Sequence, residues 1–189
     1  MDVRLIGAHM ITLDFETKQI VNGSQLSPIP VSVSLKTDDQ LAQFISWGHP
    51  SKNNSSYQQA KDILEQIWHS THAIIMHNAK FDMRVAMEHF GLPYLPVERV
   101  HDTMIMAYLH DPREKSFALK YLADKYLNMP PDEQQELKRY ILLNVKSATE
   151  KTWGAHISEA PGNIVEAYAD GDTTRTYKLY QYFLPYMSR

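Results

Sequence analysis

The chain has 189 residues, and 43% of them are hydrophobic, so we predict one domain spanning residues 1–189 with a single core. Its net charge of −3 argues against a protein that coats nucleic acid through a broad basic surface. Because the sequence has no cysteine, disulfides and thiolate zinc sites are excluded, which favours a reducing, cytoplasmic (intracellular) environment. No segment approaches the roughly 20 apolar residues that a membrane span requires, so we expect no membrane partner.

The first third of the sequence shows the alternating pattern of β-strands. In the first of them, Phe15 lies on the apolar side and Asp14 and Glu16 lie on the opposite side. Asn22 and Gly23 predict a turn before the second strand, and the three strands are expected to form an antiparallel meander. These strands are predicted at residues 9–16, 30–36 and 43–47.

Helices and short strands alternate in the rest of the chain. This alternation after an initial meander predicts an α/β fold in which helices flank a mixed five-stranded sheet. Residues 147–163 contain Pro161 and Gly162 and are predicted to be a connection without an assigned role. The predicted helices are residues 57–70, 78–90, 103–110, 116–126, 131–146 and 163–186, and the predicted strands are residues 73–77 and 99–102.

Asp14 and Glu16 form the first of three acidic fragments. Two residues apart on a strand, their side chains project from the same face. Adjacent carboxylates raise each other's pKa unless a cation lies between them, so the pair favours a metal site. The D-x-E pattern is also common at solvent-exposed strand ends, and by itself it does not distinguish the two interpretations.

The second fragment, HNAKFD, joins a predicted strand to the following helix. Ligands of open α/β sheets bind outside the carboxyl ends of the strands, so Asn78 and Asp82 lie where a site is expected. The same residues also suit ordinary helix capping by Asn78 and a favourable first-turn charge on Asp82. Asp102 precedes another predicted helix and is interpreted as a structural cap.

The third fragment, YADGD, places Tyr168 and Asp172 four residues apart on one face of the last helix. That face continues through apolar residues, so Asp172 must be paired, hydrogen-bonded or bound to a metal. Asp170 falls outside this face and is predicted to be solvated. Tyr168 alone equally suits a half-buried tyrosine whose hydroxyl is bonded locally.

In this order the fragments resemble the motifs of the DEDD 3′→5′ exonucleases of the ribonuclease H-like (DnaQ-like) superfamily. Ala167 stands where the histidine subclass would have its histidine, so the resemblance is to the tyrosine subclass, DEDDy. The stretch around Asp102 and the segment FALKYLADKYL also resemble the proofreading domain of family A DNA polymerases. The matched residues are Asp14 and Glu16 for D-x-E, Asn78, Phe81 and Asp82 for N-x-x-[FY]-D, and Tyr168 and Asp172 for Y-x-x-x-D.

The resemblance implies a ribonuclease H-like fold and phosphodiester hydrolysis with two divalent cations roughly 4 Å apart. Asp14 would bridge the cations, Glu16 and Asp172 would complete one site, and Asp82 would hold the second cation largely through water. Oxygen ligands favour Mg²⁺ or Mn²⁺. Tyr168 would orient the attacking water by a hydrogen bond, because an unperturbed tyrosine pKa near 10 makes a poor base at neutral pH.

The resemblance also implies that Thr17 and Asn78 contact the terminal nucleotide and that Phe15 packs near it. Phe15 suits the core equally well, since it points away from the carboxylates in a regular strand. The expected substrate is a single-stranded or frayed DNA 3′ end, and the expected role is proofreading for a DNA polymerase domain or subunit, of which this chain would be an N-terminal part. Lys80, Arg84, Lys115 and Lys120 could meet phosphates, but most such residues are simply solvated, and they are given no role.

Two alternatives to DNA proofreading stay open. The first is trimming of RNA 3′ ends, as in ribonuclease D relatives, because sensitivity to the 2′-hydroxyl cannot be inferred from these motifs. The second is an inactive exonuclease fold that serves as a binding module. All four carboxylates are present, which disfavours an inactive fold.

Overall fold

A five-stranded sheet lies at the centre of the computed structural model, which describes residues 10–20, 27–38 and 40–187. Its strands are β1 (Met10–Thr17), β2 (Pro30–Thr37), β3 (Gln43–Ser46), β4 (Ala73–Met76) and β5 (Val100–Asp102). Their order across the sheet is β3-β2-β1-β4-β5. The first three strands pair antiparallel, whereas β4 and β5 run parallel to β1. The mixed sheet and the meander are therefore confirmed, while the predicted turn at Asn22 and Gly23 lies outside the described residues.

Helices flank the sheet and mostly follow the predicted spans. Helix α5 begins three residues late because the residues before it form tighter i→i+3 turns, in which Gln134 N–H donates to the Pro131 carbonyl. The predicted connection contains a 3₁₀ helix, Trp153–Glu159. The α-helices are α1 (Tyr57–His69), α2 (Ala79–Phe90), α3 (Thr103–His110), α4 (Leu119–Leu127), α5 (Gln134–Asn144) and α6 (Gly162–Phe183), with further 3₁₀ turns at Val97–Arg99 and Leu184–Tyr186.

The two sides of β1 face different layers. Leu13 and Phe15 are buried in a cluster with residues of α1 and α2, as the alternation predicts. The opposite side faces α6: Ser34, the β2 partner of Asp14, donates a hydrogen bond of 2.7 Å to Oδ1 of Asp170. Asp170 is therefore half-buried and hydrogen-bonded, and the prediction that it is solvated was wrong.

Helix α6 spans 22 residues and packs across the sheet. Its buried face includes Asp172, Thr176, Leu179 and Phe183, which confirms the helical stripe expected from the sequence. Because this face carries the third acidic fragment, packing of α6 on β1 brings that fragment to the first one. Within the described ranges, none of the helices combines the length and the apolar character needed to cross a membrane.

Candidate active site

The end of β1 extends beyond its neighbour β4. Strand β1 pairs with β4 only from Met10 to Thr12, whereas its pairing with β2 continues to Thr17. One edge of β1 is thus uncovered by β4 from Asp14 onward, at the carboxyl ends of the parallel strands. This is where open α/β sheets place their ligands, and here Asp14 and Glu16 lie close to α6.

Three carboxylates from β1 and α6 converge at this edge. Asp14, Glu16 and Asp172 each offer an oxygen atom, and these atoms lie within 4.8 Å of one another. Glu16 is 8% exposed and Asp172 is 6% exposed, and burying charged groups in this way is costly without a compensating cation. Oδ1 of Asp172 has no hydrogen-bond partner in the described part of the chain. The residues therefore fit a hard divalent cation, which prefers oxygen ligands.

The fourth acidic residue, Asp82, lies in the first turn of α2 and is 1% exposed. Its Oδ1 accepts a hydrogen bond of 3.1 Å from the backbone N–H of Phe15. Since β1 has no pairing with β4 at this level, the side chain of Asp82 takes the place of a strand partner. This bond fixes the carboxylate next to Asp14, whose charge acts on it.

Burial, aided by repulsion among the carboxylates, disfavours their ionised forms when no cation is bound. Burial, and then the charge of Asp172, raises the pKa of Asp14 to about 7. Burial and the charge of Asp14 raise the pKa of both Glu16 and Asp82 well above the ordinary range. Burial also raises the pKa of Asp172, although the ammonium of Lys120 opposes this shift. Bound cations would remove the repulsion and favour the ionised carboxylates.

Two basic side chains flank Asp172. Nζ of Lys120, from α4, lies 3.2 Å from Oδ2 of Asp172. Arg175, one turn farther along α6, lies 3.7 Å from Oδ1 and also pairs through two nitrogens with the carboxylate of Glu133. Glu133 packs directly against Gly171, where a Cβ atom would approach its Oε1 to 2.8 Å. The absence of a side chain at Gly171 therefore lets this ion pair form beside the third acidic fragment.

The ring of Tyr168 packs between an aromatic ring and an ammonium group. Trp153 contacts it edge-on with centroids 6.2 Å apart, and Nζ of Lys120 lies 3.7 Å from its centroid. Burial raises the pKa of Tyr168 well above the ordinary range, and the charges of Asp172 and Glu16 raise it further. In the metal-free molecule the phenol therefore keeps its proton at neutral pH, which favours the expected orienting role over that of a base.

Thr17 lies beside the carboxylates at the edge of a cavity of about 400 Å³. It follows an irregularity in the pairing of β1 with β2, between Glu16 and Thr17. The 3₁₀ helix Trp153–Glu159 also contributes to this cavity, so the segment without an assigned role adjoins the site. The lining residues are Phe15, Glu16, Thr17, Lys18, Gln19, Ile20, Phe81, Gly154 and Ala155.

The ring of Phe15 belongs to the core. It is 4% exposed and stacks on Phe90, with ring centroids 5.8 Å apart. This burial agrees with the alternation of β1, which places Phe15 opposite the carboxylates, while Phe15 also lines the cavity beside Thr17, so its packing near a nucleotide stays a prediction. The backbone N–H of Phe15 also contributes to the site, because it orients Asp82.

Asn78 occupies the N-cap position of α2, but its side chain does not cap the helix. It adopts the left-handed conformation with φ of 68°, and the carboxylate of Asp102 accepts the N–H groups of Asn78 and Ala79 at 3.0 and 2.8 Å. Asp102 also accepts the N–H of Met104 at 2.9 Å and so caps α3, which confirms its structural interpretation. Asn78 lines a second cavity of about 570 Å³.

Three neighbours of the acidic residues were given no role from the sequence alone, although Lys120 was named there as a residue that could meet phosphates. Lys120 borders the buried stripe of α4 formed by Leu122 and Ala123. This position beside an apolar stripe was the sequence feature that could have placed the lysine near a packed interface. Arg175 lies three residues after Asp172 and so faces the same side of α6. No sequence feature predicts that Trp153 contacts the site, because its position depends on the path of the segment between α5 and α6.

Residues 4–188 match the 3′–5′ exonuclease family of A-type DNA polymerases. The DNA polymerase of Escherichia phage T5 is 36% identical over 117 residues, which cover 60% of this chain and 14% of the polymerase. The chain thus spans a small part of the length of this relative.

Solved structures of nucleases share the fold. Brucella melitensis NrnC with bound Mg²⁺ superposes with a TM-score of 0.62 at 18% identity, covering 95% of this chain and 73% of NrnC. Trypanosoma brucei RNase D superposes with a TM-score of 0.65 at 16% identity, covering 94% of this chain and 58% of RNase D. The ribonuclease H-like fold is confirmed by these neighbours. Because the family match extends over nearly its whole length, the chain belongs to the 3′–5′ exonuclease family of A-type DNA polymerases and is a hydrolytic nuclease domain.

Proposed function

We propose that the chain removes nucleotides one at a time from the 3′ end of single-stranded or frayed DNA, using two divalent cations, Mg²⁺ or Mn²⁺. The observation that carries this proposal is the convergence of three carboxylate oxygens, from Asp14, Glu16 and Asp172, within 4.8 Å. Carboxylates that approach so closely while mostly buried need positive charge between them. Phosphodiester hydrolysis uses such cations to activate the attacking water and to stabilise the leaving 3′ oxygen.

The position of Asp14 suits a ligand shared by both cations. Its charge acts on Glu16 and Asp82, and it is itself acted on by Asp172. Glu16 and Asp172 would complete the first cation site, whereas Asp82 would hold the second. The hydrogen bond from Phe15 N–H to Oδ1 holds the carboxylate of Asp82 beside Asp14, where it would contact this cation directly or through water.

The phenol of Tyr168 would hold the attacking water in line with the phosphorus. Its raised pKa favours action through a hydrogen bond over removal of the proton. The terminal nucleotide would lie next to Thr17, whose side chain borders the cavity beside Glu16. Asn78 would contact the same nucleotide through its amide group. It lies at the N-terminus of α2, where the helix dipole favours a negatively charged ligand.

The choice of DNA and of a proofreading role rests on the relatives. The T5 relative is a DNA polymerase, so a nuclease domain of this family would remove mispaired 3′ ends for a polymerase domain or subunit. NrnC carries Mg²⁺ in its solved structure, which supports Mg²⁺ among the cations that oxygen ligands prefer.

RNA trimming is the second candidate. It is favoured by the likeness to RNase D, which covers 94% of this chain, whereas the sequence match to the polymerase covers 60%. Initial rates on DNA and RNA oligonucleotides of the same sequence separate the candidates. We expect faster cleavage of DNA, and a preference for RNA would replace the proofreading assignment.

The proposed reaction can be tested with a single-stranded DNA oligonucleotide that carries a label at its 5′ end. With Mg²⁺, we expect a ladder of products that shorten by one nucleotide at a time from the 3′ end. A chelator should stop the reaction, and added Mg²⁺ should restore it. Internal cuts, shortening from the 5′ end or cleavage that persists with the chelator would contradict the proposal.

A further inference from the structure

Lys120 is placed against the acidic site from a helix that carries none of the four carboxylates. Its Nζ atom lies 3.2 Å from Oδ2 of Asp172 and 3.7 Å from the centre of the Tyr168 ring. Its charge also acts on Asp14 and Glu16. A single ammonium group therefore contacts both functional residues of α6 and influences both residues of β1.

The position of this ammonium is set by the packing of α4. Leu122 and Ala123 of α4 are fully buried in a cluster with Leu179 and Phe183 of α6, so the helix is firmly held. The side chain of Lys120 remains 24% exposed. Its aliphatic part lies along the protein, and its ammonium reaches the boundary between the carboxylates and solvent. A phosphate approaching the acidic site from solvent meets this boundary.

A divalent cation held by Asp14, Glu16 and Asp172 would compete with Lys120 for the carboxylate of Asp172. A divalent cation bound by several oxygens attracts that carboxylate more strongly than one partly exposed ammonium does. The ammonium would then lose its carboxylate partner while α4 keeps it over the ring of Tyr168. Four carboxylates surround the site and repel an approaching phosphate. A free ammonium at the edge of the site supplies a positive charge that attracts the phosphate.

We propose that Lys120 is a substrate-contacting residue, which pairs with Asp172 in the metal-free protein and donates to a non-bridging oxygen of the scissile phosphate once the cation has taken that carboxylate. This inference rests on the proposed exonuclease function. It assigns Lys120 two successive partners, first a carboxylate and then a phosphate. Removal of the ammonium should therefore strengthen binding of the cation and weaken cleavage.

The alternative, that the Lys120–Asp172 ion pair is only structural, predicts a different result. If Lys120 only held Asp172 in place, its loss would disorder that carboxylate, and cation affinity and cleavage would fall together. The two readings thus differ in the sign of one measurement. This measurement, cation binding without nucleic acid, does not depend on activity.

The experiment compares Lys120→Met, Lys120→Gln and Lys120→Arg with the unaltered chain. Titration with Mn²⁺ should show binding to Lys120→Met that is tighter by about threefold, the range of a partly exposed ion pair. The kcat on single-stranded DNA should fall by about a hundredfold, as for other lost electrostatic contacts to a transition state. Lys120→Gln should behave in the same way, whereas Lys120→Arg should recover at least a tenth of the activity.

Lys125→Met is the matched control, because Lys125 lies on the same helix and pairs with Glu114. It should leave both Mn²⁺ affinity and kcat unchanged. Weaker Mn²⁺ binding in Lys120→Met and Lys120→Gln, with melting temperatures kept, would overturn the inference, and so would full cleavage activity. If the unaltered chain itself shows no cleavage, the proposed function fails, whereas an active parent with insensitive Lys120 variants refutes only the role of Lys120.

Discussion

The two sides of the acidic site balance their charges in different ways. The strand side, formed by Asp14 and Glu16 of β1 with Asp82 of α2, holds its carboxylates through burial and one backbone hydrogen bond. The helix side, formed by Asp172 of α6, has Lys120 3.2 Å from one oxygen and a nitrogen of a buried arginine 3.7 Å from the other.

This difference separates two tasks. On the strand side, burial and then neighbouring carboxylate charges favour the protonated carboxyls when no cation is bound, so this side is suited to gain most from bound cations. The helix side is part of an ion-pair network that also joins α6 to the start of α5 through Arg175 and Glu133. We therefore expect changes on the strand side to affect activity, and changes in the Arg175–Glu133 part of the helix-side network to affect stability.

The largest expected effect is that of Asp14→Asn, which removes the shared ligand while keeping the shape of the side chain. Cleavage of single-stranded DNA should fall by about a thousandfold or more, equivalent to about 4 kcal/mol of transition-state stabilisation. The metal-free variant should be at least as stable as the parent, because repulsion among the carboxylates is relieved. Activity assays and urea unfolding measure the two effects. Glu88→Gln, which changes an exposed side chain on α2, is the control and should keep full activity. Normal cleavage by Asp14→Asn would contradict the proposal that Asp14 binds the cations.

The second effect tests the helix-side network. Arg175→Met should lower the free energy of unfolding by about 3 kcal/mol, because Glu133 loses the buried partner of its carboxylate. Arg175 is 2% exposed and the side chain of Glu133 is 24% exposed, so water replaces only part of the pair. Denaturant unfolding measures the loss, and adding Glu133→Leu in the same chain should restore part of it. A loss below about 1 kcal/mol would show that the network contributes no more than a surface ion pair.

The third effect distinguishes orientation from metal binding. Tyr168→Phe should lower kcat by about tenfold, the value of one hydrogen bond, and should leave Mn²⁺ affinity unchanged. The ring keeps its contact with Trp153, so the fold should not change. A loss as large as that of Asp14→Asn would instead assign the phenol an essential role in proton transfer.

The fourth effect is the pH dependence of stability in the metal-free protein. The pKa of Asp14 is raised from 3.8 to about 7, so protonation of this group stabilises the fold fully below pH 3.8, and the contribution is lost as the pH rises through about 7. One such group changes the free energy of unfolding by at most about 1.4 kcal/mol per pH unit.

Urea unfolding of the parent and of Asp14→Asn across this window measures by difference the slope due to Asp14, together with the part of the Glu16 and Asp82 shifts that its charge causes. The pKa of both His49 and His77 is lowered by burial, which gives the opposite slope, but this contribution is common to both proteins and cancels. Saturating Mg²⁺ should flatten the Asp14 contribution. Identical slopes in the two metal-free proteins would show that Asp14 is ionised throughout and that the strand side is less repulsive than described.

The sequence by itself determined which residues share a face. Alternation along β1 placed Asp14 and Glu16 together and Phe15 opposite, and helical spacing placed Tyr168 and Asp172 on one side of α6. Such patterns depend on the local backbone period, which is two in a strand and 3.6 in a helix. The order of the three acidic fragments was sufficient for the family, which the match over residues 4–188 confirms.

The tertiary structure decided how these faces meet. The hydrogen bond between Phe15 N–H and Asp82 joins residues 67 positions apart, and it exists because β4 ends before β1 does. The left-handed backbone of Asn78 depends on the distant carboxylate of Asp102. The contact of Lys120 with Asp172 requires the packing of α4 on α6, which no local period encodes, because contacts between distant segments depend on how whole elements pack.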